Sequence, residues 1–275
     1  MNVLLIAISV IWLFAASVTD IKKREVADWL SFSMFSIGLF FALLSAITLN
    51  DYSLLLTTAI TVAIFLIIAN ALYYMRLFGG GDAKLLIALS TIIPQLTFPS
   101  ILGLPSAATF LLNCTFIGAI YGMIYAMTLA VRHGKHFKEK ISEIKLPFWP
   151  FLIVSLILAA ASFFTYQFIL IIAVLVILFP VLYIFTKAVE DVALIKNIDA
   201  SKLTEGDWLV HPIKIGRKVI SARLGLTKKD IELLKKYRTN VKIKEGIPFV
   251  PVFLVAFILS LGIGNLFELL MAFFA

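Results

Sequence analysis

Along this chain, apolar runs of membrane length recur one after another, bounded by charge and almost free of it inside. A bilayer core about 30 Å thick takes about 20 apolar residues to cross as a helix at 1.5 Å each. Lipid offers no partner to an unpaired backbone N–H or C=O, so such runs must become spanning helices. They fall at about 2–19, 29–49, 54–75, 83–98, 106–131, 148–165, 168–186 and 248–275, which predicts a polytopic α-helical membrane protein of about eight transmembrane helices. The apolar stretch from Phe148 to Phe185 exceeds one ordinary helix and is broken near Thr165, Tyr166 and Gln167. Composition agrees: 61% of residues are hydrophobic and 15% charged, with a mean hydropathy of +1.04, which excludes water as the main solvent. The first 16 residues are apolar with no positive region ahead of them, so they read as a retained first span rather than a cleaved signal. A single cysteine, Cys114, gives neither a disulfide framework nor a paired-cysteine zinc site.

Lys and Arg stay on the cytoplasmic side of a bilayer. With the N-terminus outside, the inside segments are 20–28, 76–82, 132–147 and 187–247. All 24 Lys and Arg fall there or, for Lys84, at the adjoining helix edge. The expected organisation is a membrane domain at 1–186 with seven helices, a basic cytoplasmic α+β domain at 187–246, and a last transmembrane helix at 247–275. The soluble segment holds 14 basic and 8 acidic residues from Lys187 to Glu245, a balance suited to anionic lipid headgroups. Within it, Asp207 to His211, Ile213 to Ser221 and Val241 to Glu245 alternate as strands do. Thr227 and Asp230 have the spacing of a capping box that opens a helix, and Asn240 suits a helix end.

Carboxylates at a membrane edge are expensive, so each is a functional candidate. Asp51 reads as lying in an outside loop, Glu268 as solvated near the outer end of the last span, and Glu139 and Glu143 as part of a charged loop. Asp20 ends an apolar helix, where the negative end of the macrodipole disfavours an anion; its alternative is a solvated charge paired with Lys23 or Arg24. Asp82 follows Gly79, Gly80 and Gly81 and opens the fourth span, where it can serve as a helix N-cap. Three successive glycines do more than a cap requires, since they open otherwise closed backbone conformations and let another chain approach closely. By this topology Asp20 and Asp82 share a depth and a face. Two carboxylates about 3 Å apart share one proton, and such a pair can hydrolyse a peptide without metal or covalent intermediate.

These residues carry a resemblance. Phe78-Gly79-Gly80-Gly81-Asp82-Ala83-Lys84-Leu85 resembles the GxGD signature of the type IV prepilin peptidase and archaeal preflagellin peptidase family of membrane aspartic proteases. Thr19 to Leu30 is similar to that family's other aspartate segment, and Lys244 to Leu254 to the segment leading into the last helix of its archaeal members. The resemblance implies an aspartic endopeptidase that removes a short basic leader, a class III signal peptide, from archaellin or pilin-like precursors at the cytoplasmic face. Asp20 and Asp82 carry over as the catalytic pair, with Gly79, Gly80, Gly81 and Lys84 as motif positions. For Lys84 an interfacial lysine reaching for water explains as much. The lone cysteine resembles the archaeal branch, so neither metal, cofactor nor methyltransferase activity is expected, and nucleic acid is not an expected partner. Archaellin-processing members are commonly described with six spans, against the eight read here.

Weaker signals surround these. Glu25 and Asp28 are suited to attract a basic leader, or to balance Lys22 to Arg24. Pro248 and Pro251 suit an extended substrate groove, or merely a rigid helix entry. His133 and His136 have ligand spacing but lie amid positive charge that opposes a cation. Two other classes compete: a presenilin or signal-peptide-peptidase type protease, whose first aspartate follows Tyr inside a helix where Asp20 follows Thr at an edge, and a carboxylate-dependent transporter, which calls for internal repeats the sequence lacks.

Overall fold

The computed structural model describes residues 3–50, 52–162, 168–215, 218–221, 225–237 and 240–274. Asp51 and the expected break at Thr165 to Gln167 lie outside them. The chain divides into two compact units, one mainly Met1–Met123 with Gly246–Ala275, the other mainly Ile124–Ala222 with Leu226–Glu245.

The first unit holds α1 (Val3–Lys23), α2 (Asp28–Leu49), α3 (Ser53–Tyr74), α4 (Gly80–Leu89), the start of α5 (Ser106–Arg132), α10 (Val250–Gly262) and α11 (Leu266–Phe274). Among the described residues, four helices, α1, α2, α3 and α5, are long and apolar enough to cross a membrane. A fifth crossing is available if α10 and α11, bent by 55° at their junction, act as one span. The chain is thus a mostly helical, multi-pass membrane protein with a small sheet region.

The fourth expected span is not one continuous helix of membrane length. Its regular helix stops after 10 residues, about 15 Å of rise, and a 3-10 turn at Ile93–Gln95 follows. Ser90 and Thr91 hydroxyls donate back to the carbonyls of Ile87 and Ala88, and Pro94 has no N–H to continue the ladder. Leu85, Leu86, Ala88, Leu89, Ile92 and Ile93 are all buried, so this element is apolar all round because protein, not lipid, surrounds it. It packs on α2 and α3. Gly38 admits it: a Cβ there would overlap the Thr91 side chain, and the Gly38 carbonyl accepts from Gln95 Nε2 at 2.6 Å.

The last expected span is broken at Gly264, whose φ of 84° few other residues adopt and where a Cβ would collide with the Pro99 carbonyl. Asn113 bridges the break, donating to the Gly264 carbonyl and Ser260 Oγ and accepting from the Leu266 N–H. Glu268, expected to be solvated, is instead 3% exposed. It accepts from Ser100 Oγ at 2.7 Å, the Ile101 N–H, and Asn265 Nδ2 at 3.3 Å. The bend turns what a straight helix would have carried to the outer rim back into the 98–104 loop.

The second unit contains the remainder of α5, then α6 (Gly134–Glu143), α7 (Trp149–Ser162), α8 (Phe168–Val189), α9 (Lys228–Tyr237) and two small sheets. The charged loop expected at 132–147 holds a helix, α6, that places Phe137 against Phe185 and Lys140 against Glu143 and Asp191. Strand β1 (Ile195–Asp199), absent from the sequence reading, pairs antiparallel with β5 (Asn240–Lys244), which also pairs with β2 (Trp208–Leu209). Strands β3 (Ile213–Ile215) and β4 (Lys218–Ile220) form a separate hairpin. Asn240 therefore opens a strand rather than closing a helix. The capping box holds at the start of α9: the Asp230 N–H donates to Thr227 Oγ1 and the Thr227 N–H to Asp230 Oδ2, each at 3.3 Å. Leu209, Leu226, Leu234, Val241 and Ile243 form the small core under this sheet.

Candidate active site

Asp20 lies in the last turn of α1 and is 5% exposed. Its position at a helix C-terminus is electrostatically poor on its own. The compensation comes from far along the chain: the Val250 N–H, at the first turn of α10, donates to Asp20 Oδ2 at 3.0 Å. The Phe249 N–H also points at this carboxylate, and the Arg24 charge acts on it. An unpaired N–H at a helix N-terminus is a ready anion partner, so the α10 dipole opposes that of α1 at this point.

Asp82 sits three residues after the N-cap of α4 and reaches back, its Oδ2 accepting from the Gly79 N–H at 3.0 Å. Capping is thus part of what Asp82 does, from the N3 position rather than as the cap itself. Both carboxylates consequently meet the positive end of a helix, Asp20 that of α10 and Asp82 that of its own α4. Asp20 is near enough for its charge to act on Asp82.

The glycine run brings the segments together by bulk, not by unusual dihedrals, since no glycine among 79–81 has a positive φ. A Cβ at Gly81 would lie 3.0 Å from Val26 Cβ and 3.1 Å from the Val26 backbone N. The start of α4 therefore presses directly on the loop that follows Asp20. At Gly79 a Cβ would meet Asp82 Oδ2 at 3.2 Å, whereas at Gly80 the nearest atom is a Tyr73 ring carbon at 3.9 Å.

The remaining expected site residues fall in two groups. Lys84 Nζ meets Asp28 Oδ1 at 2.6 Å, so Asp28 balances Lys84 rather than the Lys22 to Arg24 cluster, and both stay about half exposed. Glu25 is exposed in the α1–α2 loop. Pro248 lies in the irregular stretch before α10, while Pro251 is in the first turn of α10 rather than in an extended strand, a position whose N–H would have no intrahelical partner. His133, just before α6, has its Nδ1 3.0 Å from the Leu129 carbonyl. Sequence reasoning missed the aromatic wall beside the aspartates. Phe78, Phe249 and Phe253 rings pack with centroids 5.0 to 5.8 Å apart, and Phe249 fills the space left by Gly118. The available signal was local: Phe78 abuts the glycine run and Phe249 lies between the two prolines.

Residues 7–125, which include both aspartates and the glycine run, match the type IV leader peptidase family. This is the family the motifs resemble. Among curated proteins, a preflagellin peptidase of Methanococcus maripaludis is 32% identical over 124 residues, covering 43% of this chain and 53% of that protein. A preflagellin peptidase of Methanococcus voltae is 29% identical over 93 residues, covering 34% of this chain and 40% of that protein. The chain spans about half the length of the curated relatives it matches.

Proposed function

We propose that this chain is a membrane-embedded aspartic endopeptidase that removes the short basic leader from archaellin or type IV pilin-like precursors at the cytoplasmic membrane face. The observation that carries the reading is the convergence of Asp20 and Asp82, from the ends of two different helices, with the charge of one acting on the other. The matched family and the preflagellin peptidase names of two relatives support the substrate class.

In this mechanism the pair holds one proton between two carboxylates. Asp20 accepts from two backbone N–H groups beside the Arg24 cation whereas Asp82 accepts from one N–H, so of the two buried carboxylates Asp20 is the ionised partner and Asp82 carries the proton. Water positioned between them gives a proton to Asp20 as its oxygen attacks the scissile carbonyl carbon, and Asp82 donates its proton to the carbonyl oxygen. Collapse of the tetrahedral species breaks the C–N bond as a proton passes to the leaving nitrogen. Gly79, Gly80 and Gly81 permit the approach. Lys84 with Asp28 fixes the α2 and α4 ends beside the pair, and Glu25 and Pro248 flank the route of a basic leader.

The topology that fits this reading has the N-terminus outside and both aspartates at the cytoplasmic boundary, with 187–246 as a cytoplasmic domain between a seven-helix membrane domain at 1–186 and a final span at 247–275. Its eight crossings count the α7–α8 hairpin as two, α4 with its following turn as one, and the bent α10–α11 pair as one. The basic soluble domain faces anionic headgroups. The test is direct: purified protein in detergent is mixed with an archaellin or pilin precursor, alongside Asp20→Asn and Asp82→Asn. Wild type should cleave and both variants should lose cleavage; normal processing by either variant would refute the aspartic mechanism.

A further inference from the structure

Arg24 ends α1 in the left-handed region, at φ 56°, with its N–H on the Asp20 carbonyl at 2.7 Å. Glycine is the residue that takes such a helix-ending position without strain, so an arginine there is costly unless its side chain is used. It is used. Nη1 donates to the Gly246 carbonyl at 2.6 Å, across 222 positions of sequence. Four residues beyond Gly246, the Val250 N–H holds Asp20 Oδ2, and between them Phe249 packs on Phe78. The segment 246–250 is therefore pinned at one end by the Arg24 side chain and at the other by the Asp20 side chain, two residues one helical turn apart.

We propose that Arg24 is a positioning residue: it clamps the 246–250 segment so that the first N–H of α10 stays aimed at Asp20. Without the clamp, the irregular stretch before α10 has Pro248, which cannot donate, and its contact with the site rests on the Phe249 and Val250 N–H groups and the Phe249 ring. The clamp explains why the chain keeps a strained arginine where glycine would fold more easily. This inference rests on the aspartic-peptidase reading for its catalytic consequence, but not for its geometry.

The decisive variants are Arg24→Gly and Arg24→Lys in the full-length protein. Arg24→Gly removes the clamp, the backbone strain and the Arg24 charge beside Asp20 together, so the amide exchange at 249–250 rather than kcat alone reads the clamp. Arg24→Lys keeps a cationic donor. Hydrogen exchange in detergent should show the Phe249 and Val250 amides of Arg24→Gly exchanging roughly tenfold faster, the factor one charge-assisted hydrogen bond supplies, with the α4 amides unchanged. Cleavage of a precursor should lose kcat at nearly constant KM in Arg24→Gly, with partial recovery in Arg24→Lys. Unchanged exchange in Arg24→Gly overturns the clamp. Faster exchange with wild-type kcat overturns the positioning role while the peptidase reading stands. A wild type that cleaves no precursor overturns that role together with the peptidase reading, and the exchange result then speaks for the clamp alone.

Discussion

Alanine substitution across Gly79, Gly80 and Gly81 separates close approach from helix propensity, because the three positions have different surroundings. At Gly81 the new methyl would meet Val26 Cβ at 3.0 Å and its backbone N at 3.1 Å, so the loop after α1 must give by several tenths of an ångström. Overpacking of this kind costs about 1–3 kcal/mol, partly offset by about 1 kcal/mol from replacing a helical glycine. The net loss in stability is therefore about 0–2 kcal/mol. Because the shift falls on the loop that follows Asp20, catalysis should drop as well, by up to about 100-fold as the displacement approaches ~1 Å. At Gly80 the nearest atom is 3.9 Å away, so Gly80→Ala should melt at or above the wild-type temperature and cleave normally. Gly79→Ala should keep most of its stability but lower kcat, because its methyl would press on Asp82 Oδ2 at 3.2 Å. Val26→Ala should not rescue Gly81→Ala, as the Cβ and N that make the contact remain. The assay is precursor cleavage with thermal unfolding in one detergent. Equal activity for Gly80→Ala and Gly81→Ala would refute the reasoning.

Four further outcomes follow from the same geometry. The pH profile of kcat/KM should be bell-shaped, falling at low pH where both carboxylates are protonated and at high pH where neither is; a profile that lacks either limb would contradict a shared proton. Lys84→Ala and Asp28→Ala should each cost about 0.2–1 kcal/mol in thermal unfolding and the double variant no more than either, because the pair is exposed and each loses the same contact. Glu268→Ala should lower the melting temperature clearly while Glu268→Gln lowers it less, since Ser100, Ile101 and Asn265 all donate to the carboxylate. Chelators should leave cleavage unchanged, as the proposed mechanism uses two carboxylates and water.

The apolar runs, the close approach at the glycines and the Thr227 cap were legible in sequence because each depends on local periodicity or local stereochemistry. What escaped it depends on distant partners. The buried state of Glu268 follows from the Gly264 bend and from donors in the 98–104 loop, neither of which a hydropathy profile weighs. The shortness of α4 is a local exception: its backbone bonds tighten to i−3 at Ser90, Thr91 and Ile92 ahead of Pro94, which lacks the N–H to resume the helix. Strand β1 showed no alternation because its two apolar residues, Ile195 and Ile198, stand three apart and none of its residues is fully buried; its pairing with β5, more than 40 positions on, defines it. Asp20 looked misplaced at its helix end because its counter-dipole, α10, lies 230 positions away.

The central claim is that Asp20 and Asp82 act as one catalytic unit, and a double-substitution cycle on kcat/KM tests it most directly. Groups that act together are strongly non-additive, so Asp20→Asn, Asp82→Asn and the pair should all fall to the same residual rate. Losses that multiply in the double variant, or one single variant that still processes a precursor normally, would contradict the account.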